Sequence, residues 1–393
     1  MQTPGPAPRT TTTRDAPPPF APERRHLLFK VEHTRYEFLR TLERRGNGEV
    51  LLLAERRERH GLAGPVVVKH VRSPADPLRR HRLAEEVQLA YRLHHPAIAQ
   101  VHYFKVHQGA PYVIMEHVDG PSLETVLGLM AMRRAPVSTV FALHVATEVA
   151  DALHHAHTLT DGQGRPLGLV HRDVSPRNVR VARTGEVKLT HFGVAYSHLV
   201  GREETAEALL KGDVAYASPE YLHGKPLTPA SDVFSLGLVL VELATGRHLF
   251  AEAVETLEVP PPRSSVLRVE EAPSLPLTQM LAVVERYTPA DVEQAVAGLP
   301  PDVRAVLHRA LRKEPCERYA SAGELCAALR DCLSAAVARE GRPYARAEAA
   351  LELARLTTDA SASRDQVELL DESLFQAGLE AHELGPTGPG RPP

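Results

Sequence analysis

The residues best suited to chemistry fall between Leu169 and Ala195. His171-Arg172-Asp173 comes first, Asn178 follows, and Thr190-His191-Phe192-Gly193 closes the stretch. A carboxylate can accept a proton or face a cation, an amide oxygen can join it, and an imidazole offers one nitrogen. Lysine is rare and most basic residues are Arg, so Lys69, ending the apolar run Val66-Val67-Val68, stands out.

The elements around these residues read from their periodicity. Val179 and Val181 alternate with Arg180 and Ala182, Thr184-Gly185 turns the chain, and Val187 and Leu189 return, so a hairpin separates Asn178 from His191. Upstream, residues 36–42 and 49–55 flank the turn Arg45-Gly46-Asn47-Gly48. Residues 78–93 show helical spacing at Leu83, Val87 and Tyr91, and His95-Pro96 ends that helix. Two more strands are expected over 98–106 and 112–115. Downstream, residues 121–160 read as helical, Ser231-Asp232-Val233-Phe234 begins a very apolar helix, and residues 301–333 are helical again.

Composition sets limits. The chain has 393 residues, is 43% hydrophobic and 24% charged, and carries a formal charge of −3. It exerts no electrostatic pull on nucleic acid or an anionic membrane, and neither is expected as a partner. The most apolar run, residues 234–243, is too short for a bilayer and contains Glu242. Cys316, Cys326 and Cys332 lack metal-ligand spacing and read as reduced thiols on buried helices. With no charged-then-apolar leader pattern, the expectation is a soluble cytoplasmic protein.

Taken together, HRDxxPxN, xFG, Ser218-Pro219-Glu220 and Asp232-Val233-Phe234-Ser235-Leu236-Gly237 resemble the protein-kinase family, close to bacterial, myxobacterial-like Ser/Thr kinases. The separation of Asp173 from His191 also matches. The resemblance covers residues 35–333. It implies an α+β, two-lobed fold: a β-rich N-lobe over 26–118 and an α-helical C-lobe over 119–336. A disordered Pro/Thr-rich tail (1–25) and a C-terminal tail with short helices (337–393) flank them.

The resemblance also implies roles. Asp173 takes the place of the catalytic base and Asn178 that of a metal ligand. Lys69 is the phosphate-contacting lysine, paired with Glu86, with Glu85 as the alternative. Met115 stands at the gatekeeper, and Glu116 to Val118 form the hinge that would meet adenine. Gly48, Val50 and Val67 would roof the nucleotide and Arg180 would lie beneath it. Glu220 and Arg318 resemble the ion pair that fastens the C-lobe, and Asp232 the residue that braces the HRD backbone. ATP with Mg²⁺ or Mn²⁺ would be the cofactors of an active member.

Four departures fall within that site. His191 stands where the metal-binding Asp belongs. Mg²⁺ prefers hard anionic oxygens, and losing one carboxylate about 4 Å away at an effective dielectric of ~20 forfeits roughly 8 kcal/mol of Coulomb attraction before desolvation. Glu43 and Arg45 replace the first two glycines of the phosphate loop. Arg180 replaces the apolar adenine floor, and Val67 adds bulk to the roof. Ser175 replaces a Lys, and Asp213 a Thr. Two readings follow: a pseudokinase that scaffolds or regulates another signalling protein or kinase, or an active but unorthodox Ser/Thr kinase.

Smaller features stand apart from that site. His154, His155 and His157 are expected to be solvated helix histidines. Arg172 could meet a phosphate on Ser197 or Thr205, or hold its own loop. Val367, Leu370 and Leu374 form a stripe that could pack on the C-lobe or on a partner.

Overall fold

In the computed structural model the described residues are 26–44, 49–59, 61–71, 87, 89–107, 110–192, 213–251 and 277–362. Glu86, Gly48, Arg45, Gly193, Ser197, Thr205 and the stripe from Val367 lie outside them.

Alternation builds the first lobe. Six strands, β1 (Leu27–Val31), β2 (Thr34–Arg44), β3 (Glu49–Glu58), β4 (Gly61–Val71), β5 (Val101–His107) and β6 (Ala110–Glu116), form one antiparallel sheet in the order β1-β2-β3-β4-β6-β5. Strand β1 is an element that the turn signals did not announce. Its Phe29 packs on Tyr36 of β2 at 5.0 Å and on Tyr112 of β6 at 4.9 Å, so the sheet curls until its two edges meet. The Lys105 ammonium on β5 also donates to the carbonyl of Lys30 on β1. Val66, Val68, Ala54 and Ile114 join Phe29 and Tyr36 in a small core. Side chains alternate, so Val67 and Lys69 occupy the opposite face.

The second lobe is helical: α1 (Leu123–Arg133), α2 (Thr139–His157), α3 (Pro219–Leu222), α4 (Pro229–Thr245), α5 (Leu277–Arg286), α6 (Pro289–Val296), α7 (Pro301–Ala310), α8 (Ala322–Glu340) and α9 (Arg346–Ala362). A short hairpin, β7 (Val179–Val181) with β8 (Val187–Leu189), sits among them. Helix α4 shows why these segments are helical where they are. Thr228 and Ser231 form a capping box, Pro229 opens the first turn, and Gly246 at φ +76° ends it. Residues 230–244 of α4 are all buried, and α4 packs on α2. Helix α2 is buried on nearly every side and also packs on α8. Its apolar character reflects this central position rather than amphipathicity.

Two expectations shift at the ends. Cys326 and Cys332 are buried, but Cys316 is exposed on a 3₁₀ turn. The limit at residue 336 falls inside α8, and α9 is a long helix seated on the lobe with Ala349, Leu353 and Leu356 buried. No helix among the described residues is long and apolar enough to cross a membrane.

Candidate nucleotide cleft and catalytic loop

The catalytic loop is held from below by one carboxylate. Asp232, in the first turn of α4, is 1% exposed. Its Oδ2 accepts the His171 backbone N–H at 2.8 Å and lies 2.7 Å from His157 Nε2; its Oδ1 accepts the Arg172 N–H at 2.9 Å. Burial alone would raise the Asp232 carboxyl, but the hydrogen bond and charge of His157, followed by His171, outweigh it and hold it below its ordinary value. These bonds keep Arg172 at φ +71°, a conformation that a non-glycine residue holds only when its surroundings dictate it. His157 therefore corrects the expectation of a solvated helix histidine. Its side chain is 4% exposed and braces the loop through Asp232. Nothing in the helical spacing distinguishes it from His154.

Above this brace the loop is ordered atom by atom. His171 Nδ1 accepts the Asp173 N–H at 3.3 Å, so the ring carries its proton on Nε2, which donates to the Thr190 carbonyl at 3.0 Å. Phe192 packs edge-on against His171 at 4.5 Å. Asn178 Nδ2 donates to the Asp173 carbonyl at 2.8 Å. Asp173 Oδ1 accepts the Asp213 backbone N–H at 3.0 Å, which fixes one oxygen of the candidate base. Burial, and secondarily the nearby Asp173, push the Asp213 carboxyl up.

The metal position is divided. Asn178 Oδ1 is buried with no hydrogen-bond partner among the described residues, which fits a hard cation ligand. His191 does not fit. It holds φ +66°, and its Nδ1 lies 2.7 Å from Thr190 Oγ1. The Thr190 hydroxyl donates to the Asn178 carbonyl at 3.0 Å, so in the neutral ring the proton sits on His191 Nδ1. The site thus supplies one neutral oxygen and one imidazole where two oxygens, one of them anionic, are required.

Strand register defines the roof of the cleft. Lys69 lies opposite Leu51 on β3 and Val113 on β6, and Val67 opposite Leu53 and Met115, so these residues share one face. Lys69 is 8% exposed. Glu43 pairs with Leu51 and Arg40 with Leu53, so both charges are on that face too. Val50 pairs with His70 and belongs to the other face, so it is Leu51, not Val50, that shares the Lys69 side. The loop spacing alone could not tell them apart, because one residue of register inverts every side chain.

The floor carries Arg180. Its Nη2 donates to the Gly120 carbonyl at 2.5 Å, tying the hairpin to the linker between hinge and α1. A Cβ on Gly120 would stand 2.0 Å from the Val181 carbonyl oxygen, so only glycine allows this approach. Burial lowers the Arg180 guanidinium, Arg40 lowers it further, and Glu43 opposes both. The roof therefore presents both signs of charge to Arg180, with Arg40 acting on it more strongly than Glu43. At the hinge, Val118 is buried and the half-buried Glu116 is already engaged. Its carboxylate accepts the Gln100 N–H at 3.0 Å and pairs with Lys188 at 2.9 Å.

Beneath the loop, Glu242 interrupts the apolar face of α4. The Tyr216 hydroxyl donates to its carboxylate, and burial pushes Glu242 up to about 7. A raised carboxylate favours folding at pH values below its ordinary pKa of 4.5, and that contribution is lost as pH rises through about 7. Glu242→Gln keeps an acceptor for Tyr216 without the charge. It should stabilise the protein by about 2 kcal/mol at pH 8 and by little at pH 5, as read by urea denaturation.

A curled antiparallel sheet that carries a buried lysine, followed in the chain by a helical lobe that carries a braced His-Arg-Asp loop, is the arrangement of the protein-kinase fold. The chain belongs to the protein kinase family: the protein kinase domain matches residues 36–328. Among curated relatives, "Tyrosine-protein kinase MasK" of Myxococcus xanthus is 31% identical over 305 residues, 76% of this chain and 43% of that protein. "Serine/threonine-protein kinase PknA" of Mycobacterium tuberculosis is 30% identical over 372 residues, 91% of this chain and 74% of that protein. The chain thus spans less than half the length of the first relative. The crystal structure of the Mycobacterium tuberculosis PknI kinase domain aligns with 24–25% identity and TM-scores of 0.48–0.49, over 75–76% of this chain and 94–95% of that one.

Proposed function

We propose that this protein-kinase-like signalling protein is a pseudokinase, a scaffold or allosteric regulator of another signalling protein or kinase, with weak or absent phosphotransfer. The observation that carries this reading is His191, held in the left-handed conformation beside Asn178, with imidazole in place of the anionic oxygen that Mg²⁺ requires. Arg180 across the floor and Glu43 on the roof act in the same direction, while the brace that a scaffold needs is complete. Phosphoryl transfer depends on positioning and charge neutralisation, so Asp173 without a positioned γ-phosphate has little to do. Unpaired thiols fit a cytoplasmic setting.

A second reading, an unorthodox ATP-dependent Ser/Thr kinase, has one observation in its favour. Asn178 Oδ1 keeps its lone pairs open in a buried site, as a single-metal enzyme would need. Phosphate incorporation by the purified protein, with Mg²⁺ or Mn²⁺ and with Asp173→Ala as the control, separates the two. Incorporation at background in both proteins is expected. Robust incorporation that disappears on Asp173→Ala would replace the first reading with the second.

A further inference from the structure

The family match ends at residue 328, yet the chain continues into α9, and α9 is built into the lobe. Ala349, Leu353 and Leu356 recur along one side of the helix and are 0%, 3% and 2% exposed. They seat α9 against α1 and α2. On the same side, the Glu352 carboxylate accepts the Ser138 N–H at 2.6 Å, the Ser138 hydroxyl at 2.8 Å and the Tyr344 hydroxyl at 3.0 Å. Ser138 is the N-cap of α2, so this carboxylate lies at the positive end of the central helix.

The start of α9 meets a different element. Arg346 Nη1 lies 3.1 Å from Glu186 Oε1. Gly185, at φ +83°, approaches so closely that a Cβ would stand 1.8 Å from the Arg346 carbonyl oxygen. Gly185 and Glu186 close the loop that joins β7 to β8. The strands leaving that loop carry Arg180 to the floor of the cleft and lead through Leu189 to Thr190 and His191.

We propose that α9 is a positioning strap. Through Glu352 at α2 and Arg346 at the Gly185–Glu186 loop, it fixes the hairpin that sets Arg180 and His191. A helix outside the family domain thereby controls the floor of the cleft. The inference holds whether or not the cleft performs chemistry.

Hydrogen exchange on the full chain tests it, because a helix that is merely appended would not alter the hairpin. Glu352→Ala should speed exchange of the amides of residues 179–190 about tenfold while α4 keeps its protection. Glu352→Gln retains an acceptor for Ser138 and should fall between. Gly185→Ala, made from the hairpin side, should in return speed exchange within α9. Wild-type protection of the hairpin in a Glu352→Ala protein whose α9 has come free would overturn the proposal, as would acceleration spread equally over α4. If Glu352→Ala fails to fold, Arg346→Ala, whose side chain is exposed, carries the same two outcomes.

Discussion

Replacing Arg318 with methionine is expected to destabilise the C-lobe by about 4 kcal/mol, among the largest effects of any single change in the chain. The Arg318 side chain is fully buried. Its Nη1 and Nη2 each meet a Glu220 oxygen at 2.8 Å. Nη1 also donates to the Ala230 carbonyl at 2.9 Å, Nη2 to the Lys313 carbonyl at 2.7 Å, and Nε to the Arg312 carbonyl at 2.7 Å. The guanidinium further lies 4.8 Å from the centroid of Phe234. Methionine fills much of the volume but satisfies none of these acceptors, and an uncompensated carboxylate remains inside the lobe.

The pH dependence of this loss has a definite sign. Burial would raise the Glu220 carboxyl, but the hydrogen bond and charge of Arg318 outweigh it and hold it below its ordinary value. A depressed carboxylate stabilises the fold above its ordinary pKa, and that contribution is lost as pH falls through the folded value. Without Arg318 the depression disappears and Glu220 can protonate. The gap between the two proteins is therefore widest near neutral pH and narrows in acid. Urea denaturation at pH 7 and pH 4.5 measures it, and the double variant Glu220→Leu/Arg318→Met should recover part of the loss.

The second large effect is a gain. His191→Asp combined with Arg180→Leu should tighten ATP binding in the presence of Mg²⁺ about a hundredfold, with little change in its absence. The backbone does not oppose this, because Asp tolerates the φ of +66° that His191 occupies. The new carboxylate would add an anionic oxygen to the open Asn178 Oδ1 as ligands for a divalent ion. A third of the roughly 8 kcal/mol Coulomb term is about 2.7 kcal/mol, or two decades of affinity. Leucine at position 180 restores an apolar floor but leaves the Gly120 carbonyl without its donor, so a modest loss of stability should accompany the gain. Glu43 remains on the roof, so binding should recover further than turnover.

The lobes and the catalytic loop were legible because their signals are local. Val66 to Lys69 is an apolar run ending in a cation, Ser231 to Phe234 begins a very apolar helix, and the HRD segment is contiguous. What escaped depends on pairing between distant segments. His157 looks like its neighbours until the fold brings Asp232 to it from 75 positions away. Strand β1 is short, and only the meeting of Phe29 with Tyr112 explains it. The face of Val50 depends on register, which spacing does not report. Helix α9 reads as part of a tail because most of its apolar positions are alanine, and the contacts that seat it, Glu352 on Ser138 and Arg346 on Glu186, join segments far apart in the sequence. Glu43 and Arg180 each read as a separate loss, and that Arg40 and Glu43 both act on Arg180 across the cleft appears only in the fold.

The most direct measurement is calorimetric titration of ATP into the wild-type protein, once with Mg²⁺ and once with a chelator. His191 in place of an anionic ligand predicts the same affinity in both, or no binding in either. ATP binding tightened tenfold or more by Mg²⁺ would contradict it and would show that Asn178 and its surroundings hold the metal without a second carboxylate.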